Sequence, residues 1–138
     1  MSTFQVEVVS AEGQIFSGEA SAVYANAITG EIGILPRHAP LLTKLKPGAL
    51  RVQTGSGEQN IFIGGGIMEV QPKLVTVLAD SALRAADADE QAALAAQKSA
   101  QEKLSGVKGD LDMAKAQQEL AEAAARLKFV QDLKKTAR

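Results

Sequence analysis

GEIGILPRHAPLLTKLKPGALR, residues 30–51, holds three of the four prolines, three of the twelve glycines and the only histidine of this 138-residue chain. Such a run prescribes a backbone path. Proline fixes φ and removes a donor, and glycine permits conformations that other residues avoid. The run interrupts strand-like sequence on both sides. Its apolar residues make it a candidate docking surface rather than a reactive centre.

On either side of this run the pattern has the period of strands. Phe4, Val6 and Val8 alternate with Gln5 and Glu7, as expected of a half-buried strand, and Leu50/Val52 and Ile61/Ile63 repeat the alternation. Residues 74–78 are apolar apart from Thr76 and read as a strand buried on both faces. Turn signals separate these runs at Glu12-Gly13, Ser17-Gly18, Thr29-Gly30, Pro47-Gly48, Gly55-Ser56-Gly57 and Gly64-Gly65-Gly66. The spacing predicts a sandwich or barrel of about eight to ten short strands over residues 3–80.

Beyond Pro72 the composition changes. Only Gly106 and Gly109 remain of the glycines, and sixteen alanines fall between Ser81 and Arg138. Asp87 followed by Glu90 predicts a capping box opening a helix over about 88–104. Residues 105–109 break it, and Asp110 can cap a second helix over about 111–135, a spacing that suits antiparallel neighbours. The expected fold is therefore α+β, β then α, with a β-sandwich over 1–86 and a helical hairpin over 87–138. The expected seam sets Met113, Ala116, Leu120, Ala123, Leu127 and Val130 against Ala93, Ala96, Ala100 and Leu104. Alanine allows close approach but buries little area, so the helices should persist while their mutual packing stays marginal.

Composition excludes several function classes. With no cysteine there is no disulfide or thiolate metal site, and a net charge of −1 argues against nucleic acid as a partner. No apolar run approaches the roughly 20 residues of a membrane span, and MSTFQVEVVS lacks the features of a signal peptide. No P-loop and no mixed His/carboxylate metal spacing occurs. Gly64-Gly65-Gly66 reads as a turn or bulge before an anion cradle. An enzyme of unknown type would rest on His38 alone, which reads as a loop or interface histidine. No catalytic residue, metal or cofactor is expected. Arg126, Lys128, Lys134, Lys135 and Arg138 leave residues 126–138 with five basic side chains against one acid, Asp132. That end suits either an acidic partner surface or the negative pole of its own helix.

GEIGILPRHAPLLTKLKPGALRV, then GGGIMEVQPKLVTVLAD, then GDLDMAKAQQELAEAAARLK, in this order, resemble the epsilon subunit family of bacterial F-type ATP synthases over nearly the whole chain. The resemblance implies a non-catalytic seat in the central stalk, on the cytoplasmic face of the bacterial plasma membrane. It implies contact of the sandwich with the gamma subunit and the c ring through Ser10, Glu31, His38, Ala39, Pro40, Leu41 and Leu42. It implies that the subunit couples proton flow to ATP synthesis. It also implies that the helices, when extended into the head of alpha and beta subunits, hinder ATP hydrolysis. Arg126, Lys128, Lys134 and Lys135 would then approach the beta subunit. Some members bind ATP through I/L-D-x-x-R-A and arginines on the second helix. Here Asp89 and Arg126 match, but Ala92 stands at the arginine position and Glu122 one turn before Arg126. Weak or no ATP binding is expected, with ATP sensing as the alternative reading.

Overall fold

Alternation governs the first strand. In β1 (Phe4–Ser10), Phe4, Val6 and Val8 are buried while Gln5, Glu7 and Val9 are only half-buried. The computed structural model describes residues 2–136, and Arg138 of the basic end lies outside them. Seven further strands follow: β2 (Gly13–Ala20), β3 (Ala22–Ala27), β4 (Gly30–Ile34), β5 (Leu41–Thr54), β6 (Gly57–Val70), β7 (Leu74–Ala79) and β8 (Ala82–Arg84). After a 3-10 turn at Ala85–Asp87 come α1 (Glu90–Ser105) and α2 (Asp110–Thr136). The chain divides into two compact units, Met1–Ala86 and Asp87–Arg138.

The strands lie in the order β2-β1-β7-β6-β5-β3-β4, with β8 on β6. β1 and β7 pair in parallel, and the other pairs are antiparallel. β5 and β6, 14 residues each, run through both layers of the sandwich. Residues 66–70 of β6 pair with β7, and Ile61 to Ile63 pair with β8. Val6, Val8, Val23, Val52, Met68, Val75 and Val77 are fully buried in the single core between the layers.

At the layer change the turn reading gives way to a different geometry. Gly64-Gly65-Gly66 lies inside β6, where the Gly64 N–H donates to Ser81 O and Gly65 O accepts from Asp80 N, both at 2.8 Å. Gly65 and Gly66 have φ of 100° and 148°. A Cβ on Gly66 would sit 2.9 Å from Ala79 Cα, with the Leu78 carbonyl oxygen nearer still. Pro47-Gly48 likewise lies inside β5, at the break in β3–β5 register between Tyr24 and Ala27. A proline without a donor is tolerated where the ladder lapses. Ser17-Gly18 is interior to β2. Glu12-Gly13, Thr29-Gly30 and Gly55-Ser56-Gly57 do mark turns. The run at 74–78 is not buried on both faces, because Val75 and Val77 point inward and Leu78 is 55% exposed.

On the outer surface of β1, Glu7 accepts from Gln5 Nε2 at 2.8 Å, Ser17 Oγ at 2.9 Å and Gln14 Nε2 at 2.7 Å. The Gln5 bond first, then Ser17, holds the Glu7 carboxyl below its ordinary value. A carboxylate favoured by the folded state stabilises it above the unfolded pKa, and the benefit is lost as pH falls through the folded one. Glu7→Gln is therefore expected to melt below the parent at pH 7. The gap should close as pH drops below about 4. Equal gaps at pH 7 and pH 3 would contradict this assignment.

In the helical unit the expected capping box is replaced. Asp89, not Asp87, is the N-cap, accepting from Gln91 N at 3.0 Å and Ala92 N at 3.5 Å with extended backbone. Asp87 is taken into the preceding 3-10 turn. The helices pair through an alanine seam in which Ala93, Ala100, Ala116, Ala123, Leu127 and Val130 are buried. Leu104 and Leu120 are half-buried, Met113 is 36% exposed, and Phe129, off the expected spacing, is buried. Lys134–Glu90 at 3.1 Å and Lys103–Glu119 at 3.7 Å tie the two helices in antiparallel register.

Candidate functional site

Between β4 and β5 the prescribed path is a turn of four residues, Leu35 to His38, closed by His38 N–H donating to Leu35 O at 3.2 Å. Pro36 sets its second position. Arg37 follows at φ 66°, a left-handed conformation that costs a non-glycine residue about 1–2 kcal/mol. The Arg37 N–H donates to Pro72 O at 3.2 Å, which pins the loop to the β6–β7 connection. His38 Nδ1 donates to Ala39 O at 2.6 Å, since a carbonyl can only accept. The contact orients the ring without supplying an acid–base partner. Ala39 and Pro40 are exposed.

Leu41 and Leu42 then diverge, as neighbours on a strand must. Leu41 shares the inward side with Val70, its cross-strand partner, and is 36% exposed, whereas Leu42 faces outward at 68%. Cross-strand register carries that outward face onward: Leu42 opposes Glu69, Lys44 opposes Ile67, Ile67 opposes Leu78, and Leu78 opposes Val9. Leu42, Ile67 and Leu78 thus form an exposed apolar strip on one rigid sheet face, edged by Lys44, Glu69 and Glu7. Ser10, the next residue of β1, turns the other way, its Oγ accepting from Glu12 N at 3.2 Å.

Glu31 is not part of that strip. It points outward from the other layer, where Arg51 from β5 binds it at 3.0 Å and Glu58 from β6 at 3.4 Å. Arg51 lies over the Tyr24 ring at 4.6 Å, and that ring leans across Gly33, whose missing Cβ would stand 3.0 Å from it. The structure therefore separates the residues expected at one interface into a loop, a strip and a charged cluster.

The helical unit divides the basic residues in a similar way. Lys128 and Lys135 are exposed. Lys134 is engaged by Glu90. Arg126 lines a cleft of about 270 Å³ between the helices, with Lys103, Glu119 and Glu122, and its Nε is buried without a partner. Asp89 does not line this cleft, and its carboxylate is committed to the helix cap. Among the described residues there is no cluster of His, Cys, Asp or Glu able to hold a metal, and no helix is long and apolar enough to cross a membrane.

Ile67 and Leu78 were missed in the sequence, although the signal was present. Buried Met68 and Val70 put Ile67 on the opposite side by period two, and Thr76 marked the outward side of β7.

A sandwich with an exposed apolar strip on its outer face, followed in sequence by a long-helix hairpin, defines the class of proteins to which this chain is similar. Residues 3–85 match the model of the ATP synthase delta/epsilon chain β-sandwich domain, and residues 81–131 that of its long α-helix domain. The chain belongs to the ATP synthase delta/epsilon chain family. It is 54% identical over 134 residues to the ATP synthase epsilon chain of Nitrosococcus oceani, covering 96% of each. It is 52% identical to that of Halorhodospira halophila, covering all of this chain and 99% of the relative. A chain of the Euglena gracilis mitochondrial ATP synthase shares the fold with a TM-score of 0.76 at 20% identity, covering 91% of this chain and 79% of that one. A chain from the central stalk and c-ring structure of the Tetrahymena thermophila enzyme gives 0.57 at 13% identity, covering 98% and 96%.

Proposed function

We propose that the chain is a non-catalytic rotor subunit of a bacterial ATP synthase. Its sandwich seats on the gamma subunit and the c ring, at the cytoplasmic face of the membrane, and helps couple proton flow to ATP synthesis. Its helices reach the head of alpha and beta subunits and restrain ATP hydrolysis. The observation that carries the docking part is the strip of Leu42, Ile67 and Leu78. Three large apolar side chains held outward on one strand-paired face are what a protein interface buries. Near the strip, Ser10, His38, Ala39, Pro40 and Leu41 would lie at its margins. Glu31 would meet the ring from the other layer.

Leu78→Glu puts a charge into the strip at a position that the core does not use. We expect at least about a tenfold loss of co-migration with gamma, from the burial of one Leu forgone, while the circular dichroism melt is unchanged. If Leu78→Glu co-migrates with gamma like the parent chain, the docking face lies elsewhere.

The interhelical cleft fits the reading of weak or no ATP binding. The Asp89 carboxylate is already occupied at the cap, and in the cleft Glu119 and Glu122 offset the charges of Lys103 and Arg126, leaving no net positive charge for a phosphate. Calorimetry at millimolar ATP is expected to give no saturable heat. Saturable heat would favour the ATP-sensing reading instead.

A further inference from the structure

Lys134 is one of the four cations assigned above to the inhibitory contact, yet in the hairpin its ammonium is held by Glu90 across the helix pair at 3.1 Å. In the extended form that the inhibitory reading requires the helices part, so Lys134 must leave Glu90 before its ammonium meets an acid on a partner. We propose that Glu90 is an intramolecular competitor for Lys134, so that the closed hairpin and the engaged basic end exclude one another. The inference rests on the inhibitory reading above and names the residue that regulates it.

Three features of the unit support exchange rather than permanent pairing. Glu90 stands in the first turn of α1 and Lys134 in the last turn of α2, so the pair closes the hairpin at its open end, away from the connecting loop. The seam behind it is largely alanine, which gives up little buried area on opening. Arg126, another of the four cations, has its Nε buried without a partner in the closed state, a penalty that opening would relieve. Lys128 and Lys135 stay exposed in the closed hairpin. Closure therefore withholds two of the four cations and leaves two free to make first contact.

Glu90 also complements the dipole of α1, and removing it weakens that helix whatever Lys134 does. The test must separate the two roles. In the assembled ATP synthase, Glu90→Gln is expected to deepen inhibition of hydrolysis about two- to fivefold, the range set by a partly exposed ion pair. In a Lys134→Gln background the same change should add nothing. An equal effect of Glu90→Gln with and without Lys134 would assign it to the dipole and overturn the proposal. A second readout needs no partner. The chain has no cysteine, so spin labels at Ala95→Cys and Gln131→Cys, both exposed positions, report helix separation in the full-length chain alone. Glu90→Gln should add a longer-distance population to the label pair, and an unchanged distribution would overturn the competition. Should labels separate while hydrolysis does not respond, the competition stands and the inhibitory reading fails.

Discussion

Gly66→Ala is expected to cost the sandwich about 3 kcal/mol or more, a large share of the roughly 5–15 kcal/mol that holds an ordinary domain folded. Two causes add. The residue sits at φ 148°, and the new Cβ would stand 2.9 Å from Ala79 Cα and 3.1 Å from the Leu78 carbonyl carbon. Those atoms are backbone of β7, paired to β6 in the register Gly66 to Ala79, and cannot rotate aside as a side chain would. Gly13→Ala is the control. Its φ is 124° but nothing lies within 4 Å of the added Cβ, so only the backbone cost of about 1 kcal/mol applies. Urea midpoints followed by circular dichroism compare the two. Equal losses would mean that conformation alone, and not crowding against β7, makes glycine necessary at 66.

Removing residues 87–138 is expected to leave the sandwich folded and to raise ATP hydrolysis by the assembled enzyme about three- to tenfold. That corresponds to a restraint of about 0.7–1.4 kcal/mol on the activation barrier. Folding should survive because every residue of the buried core cluster, from Phe4 to Ala79, belongs to the first unit. Assembly should survive because Leu42, Ile67 and Leu78 are retained. Hydrolysis that does not respond to truncation would remove the inhibitory role and leave the docking role standing.

Much of this fold was legible because burial follows short periods. β1, the inward halves of β5 and β6, and the alanine seam of the helices each follow from residues two, three or four apart. What failed depended on distant partners. Gly64-Gly65-Gly66 and Pro47-Gly48 carry the same local preferences whether the chain turns back or crosses between layers. Only the pairing of β6 with β7 and β8 decides between them. Asp87 and Asp89 are both able caps, and the 3-10 turn at Ala85–Asp87 selects the second. Apart from Ser10, the candidate interface was read within the single stretch 30–51 because its residues are close in sequence. A β-strand sends neighbours to opposite faces, so Leu41 and Leu42 part company, while Ile67 and Leu78 arrive from elsewhere in the chain.

β5 and β6 stay hydrogen-bonded to each other along almost their whole length, from the Leu41–Val70 pair to the Thr54–Gly57 pair. Their common ladder is thus a single bar joining the two faces of the sandwich. A twisting load that enters on the strip of Leu42 and Ile67 and leaves near Arg51 and Glu58 runs along that bar. A ladder pulled along its length shares the strain among many bonds at once, whereas one peeled from an end yields them singly. The sandwich is stiffest along the line of that ladder.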